Sequence, residues 1–388
     1  MHPSGPPRLR AALLVSVFLL AALPAGCTKP NLASVSQQPA TSASATSRAA
    51  GWHRVDVDGS VRVITDGYCW TDTFAAGVRD GQALLLKITS GAAREVRGAL
   101  PSAHHNGLGG VVFNGDDIFV TEELDPTRAK PATMWHGAYY QGYFSPERTP
   151  WEQIWDARGV MPGWLSPLMD GEENLRAVGA VRAKDRWELH AWQASDGWFS
   201  LDRGHQLYVH AKPSPQSVLT ASTETGVVVA GAISDQPDAS DPSPQVWTIE
   251  DEQGFDDGRW KRSPMASTPD ALTDIAQWDL GWWVAGYRQL RPVIYDFNDG
   301  GGASMPVPET HLDPARPGVY IAGIPIGQPM VLATQSVDGP TVWVRKGKTW
   351  LRIPAPAGTL SAAQTVKDGV YVLIDGTLWF RAAPSIGC

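Results

Sequence analysis

The chain has 388 residues, 43% of them hydrophobic and 19% charged, with a formal net charge of −8. Seventeen tryptophans, 39 glycines and 31 prolines suit many short strands joined by turns, and they argue against long helices, coiled coils and collagen. The negative balance removes the electrostatic basis for binding nucleic acid.

Arg8 and Arg10 precede an apolar run from Ala11 to Leu23 that fits a signal-peptide core and is too short to span a bilayer. It ends in Leu23-Pro24-Ala25-Gly26-Cys27. A cysteine directly after small residues at this point resembles the lipobox of bacterial lipoproteins, with Pro24 standing where that family prefers leucine. The resemblance implies cleavage before Cys27, lipidation of Cys27 and residence on the extracytoplasmic face of a bacterial cell membrane. The alternative is an ordinary secretory signal cut near Ala25 or Gly26. Residues 1–26 are thus expected to be a signal peptide. Residues 27–50, rich in Ser, Thr, Ala, Gln and Pro, are expected to be a disordered tether. Loss of the leader removes two arginines and no acid, so the mature charge falls to about −10, and attachment would rest on the lipid.

From residue 51 to 388 a phrase recurs at the spacing of β-propeller blades. Its clearest copies are GVVVAG (Gly226–Gly231) with PQVW (Pro244–Trp247) and GRWKRSP, then GWWVAG (Gly281–Gly286) with PVIYDF (Pro292–Phe297), then PMVLAT (Pro329–Thr334) with PTVW (Pro340–Trp343) and KTWLRIP. Weaker copies are TFAAG (Thr73–Gly77), DIFVTE (Asp117–Glu122) with ATMW, LRAVGAV (Leu175–Val181) with WFSL (Trp198–Leu201), and GVYVLIDGTLWF (Gly369–Phe380). Each unit predicts four short strands, with the small-residue phrase second and aromatics on the outer strands filling the widening wedge between blades. The count is seven. The seventh unit ends without a fourth strand, and Gly51–Val57 has the form of one. An all-β, seven-bladed propeller closed by its N-terminal strand is the expected fold.

That topology places Cys69, after the first strand of blade 1, and Cys388, after the third strand of blade 7, on one face beside the closure. In an extracytoplasmic protein they are expected to form a disulfide. It would close a loop of over 300 residues, for which chain entropy allows about 5 kcal/mol at most.

Three turns resemble degenerate Asp-boxes of sialidase-like propellers: Gly347-Lys348-Thr349-Trp350, Asp256-Asp257-Gly258-Arg259-Trp260 and Ser195-Asp196-Gly197-Trp198. In that family the box is structural, so the resemblance implies a fold and carries no activity. The alternative function, a sialidase-like glycoside hydrolase with its site at the channel mouth, would draw on Arg176, Arg182, Arg288, Arg291, Tyr287 and Glu122, none in a recognisable signature. The histidines His53, His104, His105, His136, His190, His205, His210 and His311 show no ligand spacing, and no metal site or cofactor is expected. Trp135, Tyr139, Tyr140 and Tyr143 form an aromatic cluster suited to a carbohydrate or peptide platform. The sequence therefore favours a monomeric, membrane-anchored binding or assembly module with an envelope protein or carbohydrate as partner.

Overall fold

The computed structural model describes residues 50–64, 73–96, 108–113, 117–122, 133–140, 143–144, 152–153, 163–169, 175–183, 186–195, 197–201, 206–209, 218–222, 226–237, 239, 243–250, 259–278, 281–297, 301–323, 330–366 and 368–383. The described residues form seven antiparallel sheets and no helix. Blade 1 is Ser60–Ile64, Thr73–Arg79, Gln82–Thr89 and Ala92–Glu95; blade 4 is Leu219–Ser222, Gly226–Gly231, Gln245–Glu250 and Lys261–Ser263. Blade 5 is Ala271–Trp278, Gly281–Arg288, Arg291–Asp296 and Ala303–Ser304, and blade 6 is Gly318–Gly323, Val331–Ser336, Gly339–Lys346 and Thr349–Pro354. Blade 7 is Leu360–Val366, Gly369–Ile374 and Thr377–Ala382, with His53–Arg54 as its fourth strand. The first strand of each blade lies beside the first strand of the next, including blade 7 beside blade 1. The fold is a closed, seven-bladed β-propeller.

The recurring small-residue phrases are the second strands. Alternate residues of such a strand face opposite neighbours, so both sets must be apolar and short. Gly226–Gly231 is buried throughout: Val227 and Val229 pack toward blade 3, Val228 and Ala230 toward blade 5. Seven apolar clusters result, each shared by two adjacent blades. The tryptophans sit in these wedges, as Trp135 between blades 1 and 2, Trp192 between 2 and 3, and Trp343 between 5 and 6.

Closure follows the expected route. His53 pairs with Phe380 and Arg54 with Trp379, and Val55 N donates to Leu378 O at 2.9 Å. Trp52 is buried between blades 6 and 7, and its indole N–H donates to Pro354 O at 2.9 Å. At the seam with blade 1, Gly91 N donates to the Tyr371 hydroxyl at 2.7 Å, and Ser90 Oγ donates to Asp368 Oδ2 at 2.6 Å. The turns holding this geometry need left-handed backbone: Ser90 and Gly91 (φ 44° and 85°) and Asp375 and Gly376 (φ 48° and 71°) match the right-handed twist of the flanking strands.

Two features depart from a uniform four-stranded unit. In blade 2 (Leu108–Phe113, Asp117–Glu122, Met134–Tyr140) the outer strand is split into Tyr143–Phe144 and Glu152–Gln153, each pairing with part of the third strand. Blade 3 (Trp164–Met169, Leu175–Ala183, Arg186–Ser195) is split likewise, into Gly197–Ser200 and Leu207–Val209. The phrase at Trp198–Leu201 therefore follows the third strand of its blade, as the Asp-box-like turn before it implied, but supplies only part of the fourth. The third strand is Arg186–Ser195, and the phrase folds back on its end. Secondly, Ile233–Ser234, between the second and third strands of blade 4, pairs with Tyr208 and Val209 and becomes the last strand of blade 3.

Trp52→Ala should remove both the wedge packing and the bond to Pro354. Loss of a buried tryptophan costs about 3–5 kcal/mol. Chemical denaturation should show a matching fall in midpoint, and an unchanged midpoint would mean that the ring does not depend on its first strand.

Candidate functional site

Within each blade the strands alternate in direction. One face of the ring therefore carries the turns from first to second and from third to fourth strands. Ala50 and Arg381 also lie at this end, where the Arg381 guanidinium donates to Ala50 O at 2.6 Å. It is called the closure face below. The opposite, connection face carries the second-to-third turns and the links between blades.

Cys27, Cys69 and Cys388 lie outside the described residues. The strands leading to the latter two both run toward the closure face: Val61 N donates to Gly376 O at 3.0 Å near their starts, and they are last described at Ile64 and Ala383. The turn joining Tyr140 to Tyr143, and the pairing of Tyr139 with Phe144, are also at this face, in blade 2. The side chains of these three tyrosines are outside the described set. Trp135 is 9% exposed and packs on Phe74, Leu85 and Ile118, so its ring belongs to the wedge between blades 1 and 2 and not to a surface platform.

The residues proposed for a hydrolase are not assembled at the channel. Arg182, Tyr287, Arg288 and Glu122 sit toward the ends of second strands in blades 2, 3 and 5, and Arg291 starts a third strand. Arg176 is buried at 2% exposure in the wedge between blades 3 and 4. Its guanidinium donates to Ser222 Oγ and Gly226 O, each at 3.0 Å, and to Gln193 Oε1 at 3.3 Å. Its role there is to tie two blades together.

The channel wall is made by the seven first strands. Five carry a one-residue bulge against the second strand, at Arg62, Gly109, Thr273, Ala322 and Ser361. A bulge bends and twists the strand and re-aims one side chain. At Thr273 the consequence is visible: its hydroxyl donates to Val319 O at 2.7 Å and accepts from Val319 N at 3.2 Å. The next residue, Asp274, accepts from Ile321 N at 2.6 Å. Asp274 is the one carboxylate on the described first strands, and it satisfies the backbone of the neighbouring blade. Sequence reasoning missed Thr273 and Asp274. Two adjacent polar residues, Thr273 and Asp274, inside a mostly apolar strand were the available signal.

Elsewhere, Asp117 Oδ1 and His136 Nε2 are 2.6 Å apart on blade 2, and the imidazole stacks on Phe119. The His53 ring meets Phe380 edge-on, and His190 stacks on Trp192. Among the described residues no three potential ligands gather in a group that could hold a metal ion.

The two Asp-box-like turns with described tryptophans show the expected packing. Gly347 takes φ 62°, Thr349 Oγ1 donates to Lys346 O at 3.0 Å, and Trp350 packs on the cluster between blades 5 and 6. Trp260 is buried between blades 3 and 4.

No protein family and no curated protein matches the sequence. Solved structures do. A putative 6-phosphogluconolactonase from Bacteroides fragilis aligns at a TM-score of 0.51 and 9% identity, over 83% of this chain and 94% of that one. The Dos1 propeller aligns at 0.50 and 9%, over 84% and 78%. A Trypanosoma rangeli sialidase aligns at 0.38 and 9%, over 84% of this chain and 55% of its own. At these identities the likeness is one of fold.

Burial pushes the Tyr371 and Tyr320 hydroxyls up to about 12, with Asp368 and Asp274 adding to the respective shifts and the bond from Gly91 opposing that of Tyr371. The folded state then holds these protons more tightly than the unfolded chain, whose tyrosines titrate near 10. The stabilisation is complete below pH 10 and is lost as pH rises toward 12. Tyr371→Phe should flatten the alkaline fall in melting temperature over this window. An unaltered slope would mean that the hydroxyl titrates as though exposed.

Proposed function

We propose that the protein is a lipid-anchored module on the extracytoplasmic face of a bacterial membrane, and that its propeller binds or assembles partners rather than turning over a substrate. The observation that carries this reading is the use of Asp274. Hydrolysis by a carboxylate pair needs two acids about 5–10 Å apart. The described first strands contribute one, and its oxygen is committed to Ile321 N. Around it, the wall's polar groups bond to neighbouring blades: Ser166 to Thr220 at 3.0 Å, and Tyr320 OH to Leu360 O at 3.3 Å. A wall that satisfies its own polar groups gives a rigid ring whose loops are left for recognition. The anchor reading rests on the Leu23–Cys27 motif and the unpatterned stretch before Ala50.

Cys27→Ala should move the protein from the membrane fraction to the soluble fraction of the expressing bacterium. If the unaltered protein is already soluble, Cys27 is not lipidated. The partner should appear on crosslinked affinity capture of the anchored protein from its own envelope.

The disulfide reading predicts that peptides bearing Cys69 and Cys388 are linked under non-reducing conditions. Reduction should lower the melting temperature, since the two strands concerned flank the seam between blades 7 and 1. Two separately alkylated thiols would dismiss it.

A further inference from the structure

The charge on this acidic chain is unevenly placed around the closure face. Residues 339–367 contain Arg345, Lys346, Lys348, Arg352 and Lys367 and no acid. Three of these flank or form one hairpin, the turn from third to fourth strand of blade 6, at the closure face. Lys346 and Lys348 are exposed, and neither meets a carboxylate among the described residues. Arg345 bends back to donate to Gly347 O at 3.2 Å, which holds the hairpin tip. Arg352 is neutralised by Asp338 at 2.8 Å from the far end of the blade. Leu351, on the outer edge of the same blade, is 48% exposed. Only one other large hydrophobic, Val337, is as exposed among the described residues. In sequence, two other connections that topology assigns to the closure face are acidic, Asp170-Gly171-Glu172-Glu173 between the first and second strands of blade 3 and Asp256-Asp257 between the third and fourth strands of blade 4, though these lie outside the described residues.

The chain enters the ring at this same face and on this side. Ala50 is held by Arg381 of blade 7, next to blade 6. Residues 28–49, whose composition is that of a tether, separate it from Cys27, and a random coil of that length spans about 25 Å on average. A ring held that close to a bilayer keeps meeting it, and its orientation is set by whichever rim the surface attracts. An anionic leaflet attracts exposed Lys and Arg within a Debye length and repels the acidic side.

We propose that the blade 6 hairpin, with Arg345, Lys346 and Lys348 and with Leu351 beside it, is a docking surface for anionic lipid headgroups. It tilts the propeller so that blades 6 and 7 face the membrane while the acidic side and the connection face point away. This rests on the lipid attachment proposed above for its meaning in the cell, but its test does not use Cys27. Residues 43–388 form one compact unit containing every described strand and the complete ring closure, so that fragment can be assayed without the leader.

The fragment should co-sediment with vesicles of phosphatidylcholine containing phosphatidylglycerol at low salt, should ignore vesicles of phosphatidylcholine alone, and should be released by added salt. Lys346→Ala with Lys348→Ala should weaken partitioning about thirtyfold, on the basis of the usual increment per basic residue near an anionic surface. Arg288→Ala with Arg291→Ala changes the net charge equally at the connection face, where both residues are exposed, and should leave partitioning as it was. Equal loss in both double variants would overturn the proposal, because net charge alone would then explain binding. No preference for phosphatidylglycerol, or no effect of the two lysine substitutions, would overturn it as well. Either result leaves the Cys27 fractionation test standing on its own.

Discussion

The pairing of His53–Arg54 with Trp379–Phe380 is the contact on which the ring depends. Seven wedges of apolar side chains each need both walls in place, and six of them are built between blades that follow one another directly in sequence. The seventh, between blades 7 and 1, joins residues roughly 300 positions apart. Its loop-closure entropy must be met before its contacts form. The pairing of the first strand with the third strand of blade 7 closes that loop. It brings Trp52 into the wedge on one side and Val55 into the wedge on the other, so one short segment contributes to two interfaces at once. The bonds from Gly91 and Ser90 to Tyr371 and Asp368 then fix the seam from the side of blade 1.

Much of this was legible because a propeller repeats one physical problem. Each second strand is enclosed by two neighbours, so Gly226–Gly231, Gly281–Gly286 and Val331–Ser336 had to be small or β-branched on both faces, and that pattern survives when the rest of the unit diverges. The unpaired third strand at Thr377–Ala382 required a partner, and Gly51–Val57 had the right form. Outer strands were less legible. They face solvent on one edge, so little constrains their length, and nothing in Tyr143–Phe144 or Gly197–Ser200 announced that two short pieces would share the work of one strand. The exchange of Ile233–Ser234 into blade 3 was invisible for a related reason. Two residues carry no period, and the pairing is decided by where Leu207–Val209 leaves an open edge.

The candidate site was less legible than the fold. Trp135 looked like part of an aromatic surface because Tyr139 and Tyr140 follow it on the same strand. Strand alternation sends Trp135 into the blade 1 side, where Phe74 and Ile118 enclose it. Arg176 looked like a ligand for a substrate carboxylate, and its buried neutral partners make it a strut. Asp274 was passed over in the sequence, and the bulge at Thr273 sets the pair against the backbone of blade 6. In each case the chemistry of a side chain was readable and its direction was not. Direction depends on register, which non-local pairing decides.

The strand that blade 4 lends to blade 3 alters how the ring can breathe. Ile233 is fully buried in the wedge between blades 3 and 4, together with Trp247, Trp260 and Leu207, and its backbone belongs to the neighbouring sheet. Arg176 adds a second tie across the same boundary. Separating blades 3 and 4 therefore means breaking a hydrogen-bonded ladder as well as a packed surface. Local opening free energies follow such connections. The exchanged strand couples blades 3 and 4 through backbone as well as packing, so neither can open at this edge without the other losing a strand partner.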